Sequence, residues 1–397
     1  MATPEVWLRK GRHQPVMRRH PWIFSGSVAR VEGEPTDGEI VDVRDVGGNW
    51  LARGYLNRHS QITVRLLTWD PDQSIDQEFW RGRLQRAVAS RADLTDDPTT
   101  TTYRLVHAES DGLPGLVVDR YGDFLAVQFL TLGMERRREE IVRLLGDLLT
   151  PAGIYERSDV EVREKEGLEQ RTGPLLGEEP PQRLEVMENG HRFWVDLHTG
   201  QKTGFYLDQR ENRARLRTFC KGAEVLDGFA YTGAFGVYAA AAGAARVTFL
   251  ESSTSALEMA RQNMLLNGLD PDVHEFMEGD AFSVLRGYRA EDRRFDVVVL
   301  DPPKFAPTSR DVKRAVRAYK DINLIAFQLL RPGGILFSTS CSGAVSADLF
   351  QKILFGAALD AGRDAQILGY LHQGADHPVA LTFPEGAYLK GLICRAV

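Results

Sequence analysis

The second half of the chain alternates short apolar runs with helix-like stretches, and this alternation constrains the fold more than any other feature. Apolar runs typical of buried strands occur at residues 225–227, 246–251, 295–301 and 334–339, with helical spacing between them. Regular strand–helix alternation indicates a parallel, doubly wound α/β sheet. Ligands bind such sheets outside the carboxyl ends of the strands. We therefore expect an α/β domain with its site at that edge.

Two smaller regions precede this domain. The first carries short alternating stretches broken by glycines, which is typical of a small β-rich domain. The second combines predicted helices at 79–92 and 136–149 with intervening strands, which indicates a small central α+β domain. Prolines and glycines at 173–181 predict a linker. The expected domains cover residues 1–72, 73–181 and 182–397.

Composition narrows the class of protein. The chain has 397 residues, of which 43% are hydrophobic and 26% charged, as in an ordinary globular protein, and no apolar stretch is long enough to span a membrane. The first residues lack the pattern of a signal peptide, so we expect a cytoplasmic protein. The three cysteines include no CxxC pair, which argues against a disulfide framework and a structural zinc, and no metal site is predicted.

Charge is distributed unevenly along the chain. The formal net charge of −6 is a weak argument against nucleic-acid binding. Residues 1–20 nevertheless contain five basic side chains and one acidic side chain, a local charge of +4. Phosphate binding needs a local basic patch, so we expect Arg9, Lys10, Arg18 and Arg19 to contact nucleic-acid phosphates. The alternative is a solvated basic segment.

Acidic residues stand at the ends of four predicted strands. Asp227 opens a glycine-rich loop that runs to Gly236, and Glu251 follows Asp227 by 24 residues, a position suited to ribose hydroxyls. Asp280 is placed to meet an adenine amino group, and Asp301 ends the next strand. Each acid could instead be only a helix N-cap. Together they disfavour a polyphosphate, and S-adenosylmethionine (SAM), a sulfonium that carries adenosine but no phosphate, fits them.

Cys341 follows the fifth predicted strand and is expected to face the same edge of the sheet. A cysteine thiolate can add to carbon 6 of a pyrimidine, which activates carbon 5 for attack on a methyl sulfonium. Asp301 on the neighbouring strand could stabilise the adduct near ring nitrogen 3. The sequence does not assign the base that removes the carbon 5 proton. A buried structural cysteine remains the alternative for Cys341, and is the expectation for Cys394, whereas Cys220 is expected to have no role.

The chain resembles the ribosomal RNA large subunit methyltransferase I family over nearly its whole length. Several of the matching stretches are long and specific. They are residues 20–26 (HPWIFSG), 109–116 (ESDGLPGL), 118–122 (VDRYG), 154–159 (IYERSD), 202–210 (KTGFYLDQR), 231–233 (YTG), 301–305 (DPPKF), 319–323 (YKDIN) and 375–378 (ADHP).

The resemblance implies an N-terminal PUA domain that binds RNA, a central α+β domain and a C-terminal Rossmann-like class I methyltransferase domain. It implies methylation of carbon 5 of a cytosine in large-subunit ribosomal RNA, with SAM as cofactor, and a homodimer is compatible with it. Cys341 matches the family's candidate nucleophile. The residues expected around SAM are Lys202, Thr203, Phe205, Tyr206, Asp227, Tyr231, Thr232, Gly233, Glu251, Asp280, Ala281 and Asp301.

The two residues after the Asp-Pro-Pro motif are expected to contact RNA. Lys304 is a candidate to contact an RNA phosphate. Phe305 is a candidate to stack on a target base that has left the RNA helix. Phe305 could equally belong to the core. Many RNA cytosine-5 methyltransferases carry a second cysteine in this motif for product release, whereas residues 301–305 contain none, as in the resembled family.

Two other functions are compatible with the sequence. Asp-Pro-Pro motifs also occur in methyltransferases that act on purine nitrogen, where the nitrogen attacks the methyl group directly and no cysteine is needed. The chain could also be a non-catalytic RNA-binding assembly factor with a vestigial cofactor site. The acids at four strand ends, together with Cys341, argue against a vestigial site, and replacement of Cys341 separates the two enzymatic alternatives.

Overall fold

The structure, a computed structural model, describes residues 3–306 and 309–397. The chain is divided between two units. The first contains the described residues up to Val186, then Val195–Leu207 and Ala375–Gly386, and the second contains Met187–Trp194, Asp208–Gly374 and Ala387–Val397. Within the described part of the chain, no helix is both long and apolar enough to cross a bilayer.

Six strands form the first sheet of the first unit, in the order β2-β6-β5-β4-β1-β3. One short helix, α1, lies between β1 and β2 in the chain. Alternate residues such as Val6, Val41 and Val64 point into its core and are buried, as the alternating sequence predicts. The elements are β1 Glu5–Leu8, α1 Gln14–Met17, β2 Trp22–Phe24, β3 Val28–Glu32, β4 Ile40–Arg44, β5 Trp50–Leu56 and β6 Ile62–Thr68.

A five-stranded sheet follows in the same unit, in the order β11-β10-β9-β8-β7. Strands β9 and β10 are parallel, which requires the crossover that helix α5 supplies. Trp80 of α2 and Ile141 of α5 are buried in its core. The elements are α2 Gln77–Ala89, α3 Ala92–Thr95, β7 Thr102–His107, β8 Leu116–Tyr121, β9 Phe124–Phe129, α4 Leu132–Glu135, α5 Arg138–Leu149, β10 Gly153–Ser158 and β11 Arg171–Gly177.

These two sheets are joined through Tyr55 of β5. Its ring is fully buried, and its hydroxyl donates to the Pro114 carbonyl oxygen at 2.7 Å and lies 2.9 Å from Thr131 Oγ1. A Cβ atom at Gly133 would lie only 2.2 Å from the Tyr55 ring, so glycine is needed there. We retain the division into residues 1–72, 73–181 and 182–397 as a proposal. The structure places Ala375–Gly386, predicted within the third region, in the first unit.

A β-hairpin precedes the large sheet of the second unit in the chain. Strands β12 Leu184–Glu188 and β13 His191–Val195 are joined by Asn189 and Gly190. Both loop residues have positive φ, 49° and 80°. An Asn-Gly pair adopts this conformation readily and matches the twist of the flanking strands.

Seven strands form the large sheet of the second unit, in the order β16-β15-β14-β17-β18-β20-β19. The elements are α6 Arg210–Leu216, β14 Glu224–Gly228, α7 Ala234–Ala241, β15 Arg246–Glu251, α8 Thr254–Leu266, β16 Glu275–Glu278, α9 Ala281–Ala290, β17 Phe295–Leu300, α10 Val312–Leu329, β18 Leu330–Ser340, α11 Ala347–Asp360, β19 Ala365–His372 and β20 Lys390–Ala396.

The predicted α/β, Rossmann-like class is confirmed, but the expectation of an all-parallel sheet is wrong. Strand β20 runs antiparallel to both β18 and β19, between which it lies. No crossover helix separates β19 from β20, so the chain reverses direction between them. The sequence order reverses at β14, whose neighbours are β15 and β17, and such a switch point opens a crevice at the carboxyl ends of the strands.

Candidate active site

Four acidic residues lie at the carboxyl ends of neighbouring strands in the second unit. Asp227 lies near the end of β14, Glu251 ends β15, Asp301 directly follows β17, and Asp280 follows β16 by two residues. Gly228, next to Asp227, pairs with Leu250 of β15 and Leu300 of β17, which puts three of the carboxylates at one edge. The structure thus brings together the acids that the sequence singled out.

The loop after β14 is held in an unusual backbone conformation. Phe229 and Tyr231 have φ values of 68° and 48°, which non-glycine residues rarely adopt, and each costs on the order of 1 kcal/mol or more. Such strain is common at ligand-binding sites, where the surrounding structure maintains it. A Cβ atom at Gly236, in the following helix, would lie 2.0 Å from the Phe249 ring, so the glycine lets α7 pack closely on β15.

Asp227 is buried among other acids. Its side chain accepts a hydrogen bond from the Gly236 N–H at 2.9 Å. Burial raises the pKa of this carboxyl and the nearby Asp301 and Glu251 carboxylates add to the shift, so that the pKa is about 7 despite the opposing effects of the Gly236 N–H and Arg213. A cation bound beside these carboxylates would stabilise the ionised form. The site therefore favours a cationic ligand.

Glu251 is held in place by main-chain N–H groups. Its Oε2 accepts from Tyr231 at 3.0 Å, and its Oε1 accepts from Ser252 at 2.8 Å and from Ser253 at 3.0 Å. The carboxylate is thereby tied to the strained loop as well as to the start of α8. A carboxylate fixed in this way is suited to accept hydrogen bonds from ribose hydroxyls.

Asp280 is the N-cap of helix α9. Its Oδ1 accepts from the Ser283 N–H at 2.9 Å and from the Ser283 hydroxyl at 2.8 Å. The structural role considered for such acids therefore applies to Asp280. The residue is exposed at the edge of the site, whereas Ala281, the first residue of α9, is buried. Capping uses one carboxylate oxygen, so a contact with adenine through the other is compatible with it.

A buried hydroxyl in the strained loop has no partner. Thr232 Oγ1 is buried and makes no hydrogen bond within residues 3–306 and 309–397. The main-chain oxygen of the same residue accepts from Asn263 Nδ2 at 2.9 Å, which fixes its position. Buried polar atoms without partners are uncommon in folded proteins, and a water, an ion or a ligand can satisfy them. The hydroxyl, the strained loop and the acidic surroundings fit a polar, cationic cofactor such as SAM.

Asp301 and Cys341 lie on adjacent strand ends. Strand β17 pairs with β18, and the Asp301 Oδ1 accepts from Thr339 Oγ1 at 2.5 Å and from Gln209 Nε2 at 2.9 Å. These bonds orient the carboxyl group beside β18. Cys341 is the first residue after β18 and is half-buried.

The residues on either side of Cys341 are fixed by one tyrosine of α10. The Tyr319 hydroxyl accepts from Ser340 Oγ at 2.8 Å and lies 3.0 Å from Ser342 Oγ. Ser342 Oγ also accepts from the Ala306 N–H at 3.2 Å, which links this loop to the loop after β17. Tyr319 therefore positions the segment that carries Cys341.

The other two cysteines differ from Cys341. Cys220 and Cys394 are buried, and burial raises the pKa of both thiols to about 12. A thiol with such a pKa forms almost no thiolate near neutral pH. The burial of Cys394 agrees with the expectation of a structural cysteine, and the raised pKa of Cys220 agrees with the expectation that it has no chemical role.

Sequence reasoning missed Lys390, the first residue of β20. It pairs with Ser340 of β18, and its Nζ donates to the Ser342 carbonyl oxygen at 2.8 Å. Burial lowers its pKa and Lys304 adds to this effect, whereas Cys341 opposes it, and the resulting pKa is about 8. Its only signal in the sequence is a single cation at the start of an apolar strand.

The residues predicted to contact RNA lie in both units. Arg9, Lys10, Arg18 and Arg19 are exposed in the first unit. In the second unit Lys304 is exposed, and Phe305 is half-buried with its ring centroid 4.8 Å from that of Tyr319. The core interpretation of Phe305 therefore has structural support, and the predicted RNA contacts remain predictions.

The residues predicted around SAM from 202 to 206 belong to the first unit. Thr203 Oγ1 donates to Asp119 at 2.7 Å and lies 2.8 Å from the Tyr121 hydroxyl, which also accepts from the Phe205 N–H at 3.1 Å. Lys202 has a positive φ of 55°, and its Nζ lies 4.2 Å from the centroid of the Tyr206 ring. Their contact with the cofactor stays a prediction.

Comparisons with known proteins agree with this geometry. The family described as a PUA-like domain matches residues 6–69, and the family described as S-adenosylmethionine-dependent methyltransferase matches residues 104–392. The fold and the site thus define a SAM-dependent methyltransferase with a PUA-like domain at its N-terminal end.

Sequence identity to individual relatives identifies the family within this class of methyltransferases. The chain is 51% identical to "Ribosomal RNA large subunit methyltransferase I" of Aeromonas salmonicida, over 98% of this chain and 99% of the relative. It belongs to the ribosomal RNA large subunit methyltransferase I family.

Solved structures confirm the fold. One, described as "a putative sam-dependent methyltransferase from Streptococcus mutans", has a TM-score of 0.84 at 22% identity and covers 98% of this chain and 99% of its own. Another, "a putative methyltransferase complexed with SAH", has a TM-score of 0.86 at 22% identity, with both chains covered completely.

Proposed function

We propose that this protein methylates carbon 5 of a cytosine in large-subunit ribosomal RNA through a covalent adduct with Cys341. The observation that carries the proposal is the position of Cys341, half-buried directly after β18 and two residues beyond Thr339, which donates to the Asp301 carboxyl at the end of the neighbouring strand. A methyltransferase that acts on purine nitrogen needs no such cysteine. Family membership supports ribosomal RNA as the substrate.

SAM fits the cluster of Asp227, Thr232, Glu251 and Asp280, where it would supply a methyl group activated as a sulfonium. The buried Thr232 hydroxyl gains a partner, and the positive charge lowers the cost of keeping Asp227 ionised. Residues Lys202, Thr203, Phe205 and Tyr206, with Tyr231, Gly233 and Ala281, complete the proposed pocket.

The chemical role of the protein centres on Cys341. Its thiolate attacks carbon 6 of the cytosine, a sulfur–carbon bond forms, and the electron pair of the 5,6 double bond moves to carbon 5. Asp301 stabilises the adduct by a hydrogen bond or a proton at ring nitrogen 3. After methylation a base removes the carbon 5 proton, the sulfur–carbon bond breaks and the thiolate is restored.

The test is methylation of ribosomal RNA from cells that lack the enzyme, with isotopically labelled SAM and mass spectrometry of the nucleosides. We expect label in 5-methylcytosine for the wild type and none for Cys341→Ala. Cys394→Ala, a buried cysteine elsewhere in the same unit, is the matched control and should retain the product. Label in a methylated purine, or full activity of Cys341→Ala, would contradict the proposal and favour nitrogen methylation.

A further inference from the structure

A cleft of about 500 Å³ lies in the first unit, and none of its lining residues is among those predicted to bind the cofactor or to act in catalysis. Strand β6 contributes Leu66 and Leu67, helix α2 contributes Arg83 and Arg86, and Arg19 of the basic N-terminal segment reaches its rim. The cleft is open and polar, and so it is suited to a hydrated ligand rather than to an apolar one.

Three arginines line this cleft, and within the described residues none of them forms an ion pair. Arg19 and Arg86 are exposed. Arg83 Nη2 donates to the Leu67 carbonyl oxygen at 2.8 Å, while its Nε is buried and makes no hydrogen bond in the part of the chain that the structure describes. Burial and the neighbouring Arg86 lower the pKa of Arg83 to about 10, since no carboxylate compensates its charge.

The two carboxylates of the cleft are already engaged. Asp111 accepts from both terminal nitrogens of Arg91 at 2.8 Å each. Glu109 accepts from Trp22 Nε1 at 2.8 Å and lies 3.7 Å from Arg65 Nε. Because these acids are neutralised by arginines outside the cleft, the charge of Arg19, Arg83 and Arg86 remains uncompensated.

The same cleft explains a sequence motif that the catalytic site does not use. Five residues of the stretch 109–116 (ESDGLPGL) line it. A Cβ atom at Gly112 would lie 2.2 Å from Arg83 Nη1, so glycine at this position lets the guanidinium lie across the loop. Gly112 also has a φ of 70°, a conformation that glycine adopts without strain. The motif therefore shapes the position of an arginine.

We propose that this cleft binds the phosphodiester backbone of RNA and helps to hold the substrate on the protein. The inference rests on the proposed function insofar as the substrate is RNA. Guanidinium groups match phosphate oxygens with paired N–H donors, and cations without carboxylate partners release counterions on binding a polyanion. Phosphate contacts of this kind fix register and orientation without reading sequence.

The test uses the full chain with Arg19→Gln and Arg86→Gln combined, since both side chains are exposed and their loss leaves the core intact. The probe is a fluorescein-labelled, mixed-sequence single-stranded RNA of about 20 nucleotides, long enough for one binding site of this kind. Fluorescence anisotropy is recorded between about 50 and 200 mM salt. Arg81→Gln is the matched control, because Arg81 lies on the same helix but pairs with Glu78 outside the cleft.

We expect the double variant to bind RNA about tenfold more weakly, and the slope of log K against log salt to fall by about 1.4, or 0.7 for each lost phosphate contact. The same affinity and slope as Arg81→Gln would overturn the proposal. Competition by polyglutamate as effective as that by RNA at equal charge would also overturn it, in favour of an acidic protein partner.

The methylation assay separates this inference from the proposed function. The double variant should raise the KM for ribosomal RNA more than it lowers kcat, because the two arginines are proposed to hold RNA and take no part in the chemistry at Cys341. If the wild type makes 5-methylcytosine while the cleft variants bind as tightly as the control, only the cleft proposal fails. If the cleft variants lose RNA binding but the product is a methylated purine, only the cysteine chemistry fails.

Discussion

Lys390 Nζ donates a hydrogen bond to the carbonyl oxygen of Ser342 at 2.8 Å, which holds a cation beside the segment that carries Cys341. The charge interaction between Lys390 and Cys341 partly opposes the effect of burial on the lysine pKa. Since a nearby cation stabilises a thiolate, this lysine is suited to activate the cysteine.

We expect Lys390→Met to slow alkylation of Cys341 by iodoacetamide about threefold or more at pH 7.5, because the thiolate loses its neighbouring charge. Mass spectrometry of the Cys341 peptide measures the rate. The ratio of the wild-type alkylation rate to that of Lys390→Met should decrease as pH rises through about 8, where Lys390 becomes neutral. Lys352→Met, which removes an exposed lysine paired with Asp348, is the control. Equal rates for both variants would show that Lys390 does not activate the thiol.

SAM binding should depend on pH through Asp227. The carboxyl has a pKa of about 7 in the unbound protein, and a bound cation favours its ionised form, so affinity should fall about tenfold from pH 8 to pH 6. Isothermal titration calorimetry measures this change. Asp227→Asn should bind more weakly with little pH dependence, and a flat wild-type profile would contradict the assignment.

The raised pKa of Asp227 also affects the free energy of unfolding, which should fall with rising pH, whereas SAM affinity should increase. Asp227 takes up a proton on folding between about pH 4 and pH 7, because its pKa is raised from the ordinary value of 3.8 to about 7. Its contribution to the free energy of unfolding therefore declines as pH rises through that window. Urea unfolding of the cofactor-free wild type and of Asp227→Asn, at pH 5 and at pH 8, should show a smaller change with pH for the variant.

Removal of the Tyr319 hydroxyl should affect activity more than stability. Tyr319→Phe keeps the ring contacts with Phe305 and Phe350 but loses the bonds to Ser340 and Ser342. We expect a loss of about 1 kcal/mol in urea unfolding, together with a fall in kcat of about tenfold or more as Cys341 loses its orientation. Tyr370→Phe, at an exposed tyrosine, should change neither quantity, and an unchanged kcat for Tyr319→Phe would exclude the positioning role.

Gly236→Ala tests the close approach of helix α7 to strand β15. The added Cβ atom would lie 2.0 Å from the Phe249 ring, so we expect a loss of about 1–3 kcal/mol in unfolding free energy and weaker SAM binding. Gly287→Ala is the contrast, since it lies inside helix α9 with open space around it and should stabilise the protein by up to about 1 kcal/mol. Equal effects of the two changes on the free energy of unfolding would show that the close contact between Gly236 and Phe249 does not determine stability.

Much of the fold could be predicted because its strands are strongly patterned. The run at 246–251 coincides with β15, and the run at 295–301 extends one residue beyond β17, since both are apolar segments bounded by turn residues. The direction of β20 could not be predicted, because a buried strand has the same apolar pattern whether it runs parallel or antiparallel to its neighbour. The packing of Ala375–Gly386 in the first unit depends on contacts such as that of Asp376 with the Arg104 N–H, which are distant in sequence.

The candidate site was predictable to the extent that it follows strand ends. Asp227, Glu251 and Asp301 could be assigned to one edge because parallel strands place their carboxyl ends together. Lys390 escaped prediction since it reaches Ser342 from an antiparallel strand, whose beginning meets the end of β18. The role of Arg83 could not be predicted, because the sequence of a helix does not show which of its arginines has no carboxylate partner in the fold.

Because β20 lies between β18 and β19, this one strand supports both the edge of the sheet and the segment around Cys341. β19 has β20 as its neighbour in the sheet, so β19 stays in the sheet only while β20 is in place. The strand that brings Lys390 to Ser342 therefore also holds the outer edge of the sheet. Local opening of β20 would expose the amides of β18 and β19 to hydrogen exchange together and withdraw the cation from Cys341 in the same event.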